Sequence, residues 1–315
     1  MLNRDYYTLL KQNMPKINIT FLGTSSAIPT INRNHISIFM NYKDENILID
    51  CGEGTQRQIR KAKINPCSIT RILITHFHGD HVFGLPGLFQ TLALNHYNKT
   101  LYIYGPKGTK KFINEIFKTF IGVKVIKMQV NEVSGKFLKT KDFEITALPL
   151  NHDAPCNGYL FEEKDKLRIN RDKLARIKIP NIPELAKLTQ KKNIKYQNKT
   201  INYKDITYLE KGKKISLILD TGLCNNIKKL TKNSNLAILE STFLEESLNG
   251  EKLAKEYKHL TAKQAGKIAK QNNVKQLILT HISQRYEKNP ELLLNEAKSV
   301  FPNTKLVNDF DKVEI

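Results

Sequence analysis

Short apolar runs that end in turn residues recur along this chain and set its grammar. From Ile17, INITFLG alternates apolar and polar positions and stops at Gly23, and ISIFMNY and NILIDCGEG repeat the same strand-then-turn pattern. QRQIRKAKI has helical composition, RILIT is a short apolar strand, and Leu85 to Leu94 reads as a helix entered through Gly84 and Pro86. LYIYG predicts a strand, KKFINEIFKTF a helix, and strands follow near VKVIKMQV and FEITALPL. ISLILD precedes Thr221, LAILE precedes Ser241, LTAKQAGKIAKQNN reads as a helix leading to the strand QLILTH, and a last helix surrounds PELLLNEAKSVF. Strands and helices interspersed over the whole length predict an α/β (α+β) fold, with no internal repeat and no low-complexity linker.

One stretch departs from this grammar. Lys164 to Lys214 has weak apolar periodicity, prolines at 180 and 183, and 16 Lys or Arg against 5 Asp or Glu. It reads as an inserted basic arm suited to a phosphate backbone, with an ordinary solvated insertion as the alternative.

The totals fit this picture. At 315 residues the chain accommodates one large domain or two of ordinary size. An apolar fraction of 40% with 14 Phe and 12 Tyr predicts a packed protein despite 26% charged residues. The formal net charge of +21 favours a polyanionic partner, nucleic acid first, although a compositional bias toward lysine gives the same number. Cysteines at 51, 67, 156 and 224 form no C-x-x-C pair, which suits structural thiols in a reducing compartment better than a secreted disulfide framework. The first residues, MLNRDYYTLLKQNMPK, lack an apolar signal region, and no run approaches the roughly 18 apolar residues of a membrane span. A soluble, cytoplasmic protein without a membrane partner is expected.

Chemistry concentrates in THFHGDH, which sets His76, His78, Asp80 and His81 directly after the apolar strand RILIT. Imidazole and carboxylate together suit Zn²⁺ or a similar divalent ion. Strand alternation puts His76 and His78 on one side while Asp80 and His81 can turn toward a second ion. An isolated histidine is more often a satisfied core or surface residue, but here three of the chain's eight histidines share one hexapeptide.

H-x-H-x-D-H after a strand is the signature of the metallo-β-lactamase superfamily, and the following Gly84-Leu85-Pro86-Gly87-Leu88 resembles ribonuclease Z. FLGTSSAIP, LIDCGEGTQ, YGPKG and LILTHISQRY are similar to segments of the same family, so the resemblance covers nearly the whole chain. It implies a metallo-β-lactamase domain over 17–315, an αββα four-layer sandwich of two mixed β-sheets flanked by helices. Residues 1–16 are then an N-terminal extension, and about 164–214 an exosite-like insertion. His152 after ITALPLN, Asp220 after ISLIL and His281 after QLILT each follow an apolar strand in the order such a site requires. By resemblance, His76, His78 and His152 hold one ion, Asp80, His81 and His281 the other, and Asp220 bridges them. Two Zn²⁺ per subunit are expected, with Mn²⁺ or another divalent metal as alternatives.

Two such ions lower the pKa of a shared water and clamp the attacking and leaving oxygens of a phosphodiester. Asp80 is then both ligand and proton acceptor. The resemblance assigns the general acid to His259 in KHLTAKQA, supported by Glu240 in LAILESTF, with Leu239 standing where many relatives carry a second histidine. His259 also reads as a helix-entry residue beside Thr261. Asp50 suits either a partner that orients a ligand histidine or a cap on its own turn. Arg33 and Asn34 belong to a loop similar to the family's P-x-K-x-R-N segment near a bound 3′ end, although Ile31 replaces the lysine. Arg285 in HISQRY suits a phosphate contact or a surface salt bridge. In the arm, IPNIPELAKL lacks the Gly-Pro pair that relatives carry at the tip.

The resemblance therefore implies a hydrolase, an endoribonuclease that removes the 3′ trailer from precursor tRNA and leaves a 3′-hydroxyl on the tRNA. It also implies a homodimer in which the arm of one subunit holds the tRNA while the other cuts. A hydrolase of another phosphodiester or small ester on this scaffold is the first alternative, though it has little use for so basic a chain. A metal-free RNA-binding pseudo-enzyme is the second. It predicts broken ligands, whereas all seven ligand positions hold competent residues.

Overall fold

The computed structural model describes residues 16–120 and 126–315. The expected N-terminal extension thus lies, but for Lys16, outside the described residues, as does part of the strand expected near VKVIKMQV. Two mixed seven-stranded sheets form the body. In spatial order the first contains Lys312–Glu314, Ile17–Gly23, Ser37–Tyr42, Glu45–Ile49, Arg71–Leu73, Leu101–Gly105 and Met128–Glu132. The second runs Thr304–Leu306, Gln276–Thr280, Leu236–Glu240, Lys214–Ile218, Asn157–Glu163, Phe143–Pro149 and Gly135–Lys139.

Three apolar clusters explain the layering. Ile17, Ile19 and Phe21 meet Tyr159, Phe161 and Leu217 between the two sheets. Leu22, Leu48 and Ile72, on the opposite face of the first sheet, pack against Ile59, Leu88, Phe89 and Ile113 of three helices. On the far side, Ile218, Leu239 and Leu279 pack against Ile227, Ala265, Ile268 and Leu293. The result is helix, sheet, sheet, helix, the four-layer order that the family resemblance implies. Burial on both faces explains why Ile17–Gly23 exposes only Asn18 in spite of its alternation, and why LAILE is buried throughout. No described helix is long and apolar enough to cross a membrane.

The arm is an excursion from the second sheet. Asn157–Glu163 and Lys214–Ile218 pair antiparallel, and Glu163 N donates to Lys213 O at 2.8 Å, so the chain leaves and returns between adjacent strands. Between them Lys166–Ile169 pairs with Thr207–Glu210, and a hairpin joins Ile194–Tyr196 to Lys199–Ile201. Short helices surround a small core of Leu174, Ile179, Leu185, Leu188, Ile194 and Ile206.

Candidate metal centre

The strands that carry the candidate ligands end at one edge of the sandwich, where open sheets present ligand sites. Arg71–Leu73 runs into His76, and His78 caps a one-turn helix, Gly79–Val82, whose turn directs Asp80 and His81 inward. Phe143–Pro149 leads to His152, Lys214–Ile218 to Asp220, and Gln276–Thr280 to His281. Long-range pairing of buried strands thus brings residues from four parts of the chain to one spot.

Two donor groups that share Asp220 result, beside a third made of Glu240, His259 and His281. His76, His78, His152 and Asp220 form one, and Asp80, His81, Asp220 and His281 the other, with the donor atoms within each group no more than 4.8 Å apart. In the first, His76 Nε2 and His152 Nε2 lie 3.0 and 3.1 Å from His78 Nδ1. Asp220 Oδ2 lies 3.8 Å from His76 Nε2. In the second, Asp220 Oδ1 lies 3.3 Å from His81 Nε2 and 3.1 Å from His281 Nε2, and Asp80 Oδ2 lies 3.3 and 3.5 Å from the same two nitrogens. One oxygen of Asp220 therefore faces each group.

The arrangement fits a pair of divalent cations. His81 Nε2, His281 Nε2 and Asp220 Oδ1 are buried and make no hydrogen bond among the described residues. Leaving such groups unpaired costs about 1–3 kcal/mol each. Imidazole nitrogens and carboxylate oxygens aimed at common points are a donor set for zinc-like ions. Burial, with the neighbouring His81, holds His76 well below the usual histidine range. Burial works against ionisation of Asp80 and Asp220, yet the facing histidines outweigh it and hold both carboxyls well below theirs.

Partners behind the ligands fix their orientation. Asp50 is fully buried; its Oδ2 accepts from His81 Nδ1 at 2.7 Å, and its carboxylate also accepts from Thr75 N and Thr75 Oγ1, both at 2.7 Å. Of the two readings of Asp50, the geometry supports the orienting partner, because the Nδ1 contact directs His81 Nε2 into the site. Thr242 Oγ1 donates to Glu240 Oε2 at 2.7 Å and lies 3.0 Å from His281 Nδ1, and so orients His281 in the same manner. Sequence reasoning missed Thr242; its signal was a hydroxyl two residues after Glu240, in a segment that follows a buried strand.

His259 Nδ1 lies 2.9 Å from Glu240 Oε2, and Glu240 is fully buried with Oε1 accepting from Thr221 N at 2.5 Å. Burial disfavours charge on His259, but Glu240 and then Asp220 more than offset it and push the imidazole up to about 9. The helix Ala262–Gln271 begins with a capping box, Thr261 Oγ1 accepting from Gln264 N and Gln264 Oε1 from Thr261 N, both at 3.1 Å. Thr261 is thus the helix-entry residue, and His259 precedes it with its ring in the cleft.

The cleft encloses about 310 Å³, and His78, Asp80, His152, His259 and His281 line it together with Arg285. Arg33 and Asn34 do not. Arg33 is 4% exposed and donates to Thr24 Oγ1, Val307 O and Asn308 Oδ1, tying its loop to the C-terminal segment. Asn34 lines a neighbouring hollow with Arg57 and Phe310, its side chain donating to Glu53 O at 2.6 Å.

Comparison with known proteins agrees with this architecture. A family model described as the anti-Pycsar protein Apyc1 matches residues 17–131. The ribonuclease Z of Methanothermobacter thermautotrophicus is 38% identical over 301 residues, covering 95% of this chain and 97% of its own. The crystal structure of human tRNase Z, short form, superposes with a TM-score of 0.69 at 27% identity, covering 94% of this chain and 98% of that one. The metallo-β-lactamase fold protein YhfI of Bacillus subtilis, 17% identical with a TM-score of 0.68 over 96% of this chain and 100% of its own, has the same fold.

Proposed function

This chain belongs to the ribonuclease Z family, and from that premise we infer that it is an endoribonuclease that matures the 3′ end of precursor tRNA. The observation that carries the reading is the pair of donor groups sharing Asp220 at a cleft that also holds His259 over Glu240. His76, His78, His152 and Asp220 would hold one cation and Asp80, His81, His281 and Asp220 the second, zinc being the ion their nitrogen-rich set favours. When bound, such a pair supplies the positive charge that activates water and stabilises the phosphoryl oxygens.

The chain's own residues supply the proton traffic. Asp80, kept ionised by its histidine neighbours, takes the proton of the attacking water. His259, charged at neutral pH because Glu240 supports it, gives its Nε2 proton to the ribose 3′-oxygen as the P–O3′ bond breaks. The products are a tRNA 3′-hydroxyl and a trailer 5′-phosphate. Arg285 lines the cleft and would contact a phosphate there.

The same reading takes 17–315 as one metallo-β-lactamase domain, 1–16 as an N-terminal extension and the basic arm at about 164–214 as the surface that grips the tRNA. A cytoplasmic homodimer in which one subunit's arm serves its partner's cleft extends it, the arm's basic surplus supporting the grip on RNA and not the pairing of subunits. The test incubates purified protein with a 3′-extended precursor tRNA, with and without chelator. Cleavage leaving the stated ends, and its loss with chelator, is expected. Uncut RNA in the metal-replete lane would sink the reading.

A further inference from the structure

Beside His259 the cleft wall carries aromatic surface that the chemistry above does not use. Phe243 is 4% exposed and lies under this wall, its ring centroid 6.1 Å from that of His259 and 6.4 Å from that of Tyr257, whose plane it matches within 12°. Arg285 stands over the same Phe243 ring, its Cζ 5.4 Å from the centroid. Backbone bonds fix the group, with Phe243 N donating to Leu260 O at 3.3 Å and Ala262 N to Phe243 O at 2.9 Å. Tyr257 closes the helix Gly250–Glu256, lines the cleft and remains 50% exposed. A large ring packed beside Phe243, half-exposed in a cleft that also holds Arg285, has the character of a stacking platform for an unpaired nucleobase.

The position on the wall selects the nucleotide. His259 serves the ribose whose 3′-oxygen departs, and Tyr257 precedes it by two residues on the same wall. We propose that Tyr257 stacks the base of the nucleotide immediately 5′ of the scissile phosphate, with Arg285 beside it on the phosphate. The proposal rests on the tRNA reading above and adds to it a requirement that this base be unpaired and present.

The test compares an intact precursor tRNA with one abasic at that nucleotide, using the metal-loaded full chain as wild type, Tyr257→Ala and Tyr257→Phe. Wild type is expected to lose about 10-fold in kcat/KM on the abasic RNA, the size of one base–aromatic stack. Tyr257→Ala should lose a similar factor on intact RNA and nothing further on abasic RNA. Tyr257→Phe, which keeps the ring, should retain the wild-type difference and so separates stacking from misfolding. The proposal is overturned if wild type cuts both RNAs equally, or if Tyr257→Ala still distinguishes them. Failure of wild type to cut the intact RNA brings down the tRNA reading and this proposal together.

Discussion

The cleft and the arm are built on opposite plans. Each ligand of the cleft follows from the end of a strand of the body, and Asp50, itself held by Thr75, and Thr242 fix rings from behind. The arm rests on six buried apolar side chains and a four-residue strand pair, and otherwise presents lysine and arginine to solvent. Chemistry demands atoms held within fractions of an ångström. Attraction to a charged backbone acts over about 10 Å in ordinary salt and tolerates loose geometry.

The sharpest way to break this contrast is at Asp80. Asp80→Ala removes a ligand and the proton acceptor together, and should lower single-turnover cleavage by roughly 10⁴-fold, the upper range for lost acid–base groups. On the proposed division of labour, in which the arm supplies most of the affinity, gel-shift binding of precursor tRNA should persist. Weakened binding in step with activity would mean that the two regions are not separate in role.

Replacing 166–210 by a short turn makes the reciprocal test. Precursor tRNA cleavage should fall by roughly 10³-fold at moderate salt, with a shallower salt dependence, since several phosphate contacts leave together. Hydrolysis of a small chromogenic diester should continue. Loss of both activities would show that the arm shapes the cleft.

A smaller effect tests preorganisation within the cleft. His259 must carry its proton to act as an acid, so kcat should fall as pH rises through about 9, the value to which Glu240 and Asp220 raise it against burial. Glu240→Gln removes the largest supporting charge, so the alkaline limb should move to lower pH and neutral-pH activity drop by roughly 10²-fold. An unmoved limb in the pH–rate profile would remove His259 from the acid role.

Much of the body was legible because buried strands such as LAILE and QLILT are apolar runs closed by turn residues, and the ligands sit at their ends. The helix Leu85–Leu94 has the bounds expected from Gly84 and Pro86. Asn157–Glu163 was hidden, since NGYLFEE has polar ends that disguise a strand central to its sheet. The arm's elements were illegible because three- to six-residue pieces are too short to show a period. Arg33 shows a different limit: a polar loop reads as exposed until Val307 and Asn308, far along the chain, fold over it. Thr242 acquires meaning only once His281 lies beside it.

The short bridge from Glu163 to Lys213 has an evolutionary corollary. Because the body closes beneath the arm, lineages are free to lengthen, shrink or exchange that appendage by small insertions and deletions while the hydrolytic apparatus is inherited intact. On the role proposed for the arm, divergence in which RNAs are chosen can thus proceed on a separate clock from divergence in how they are cut.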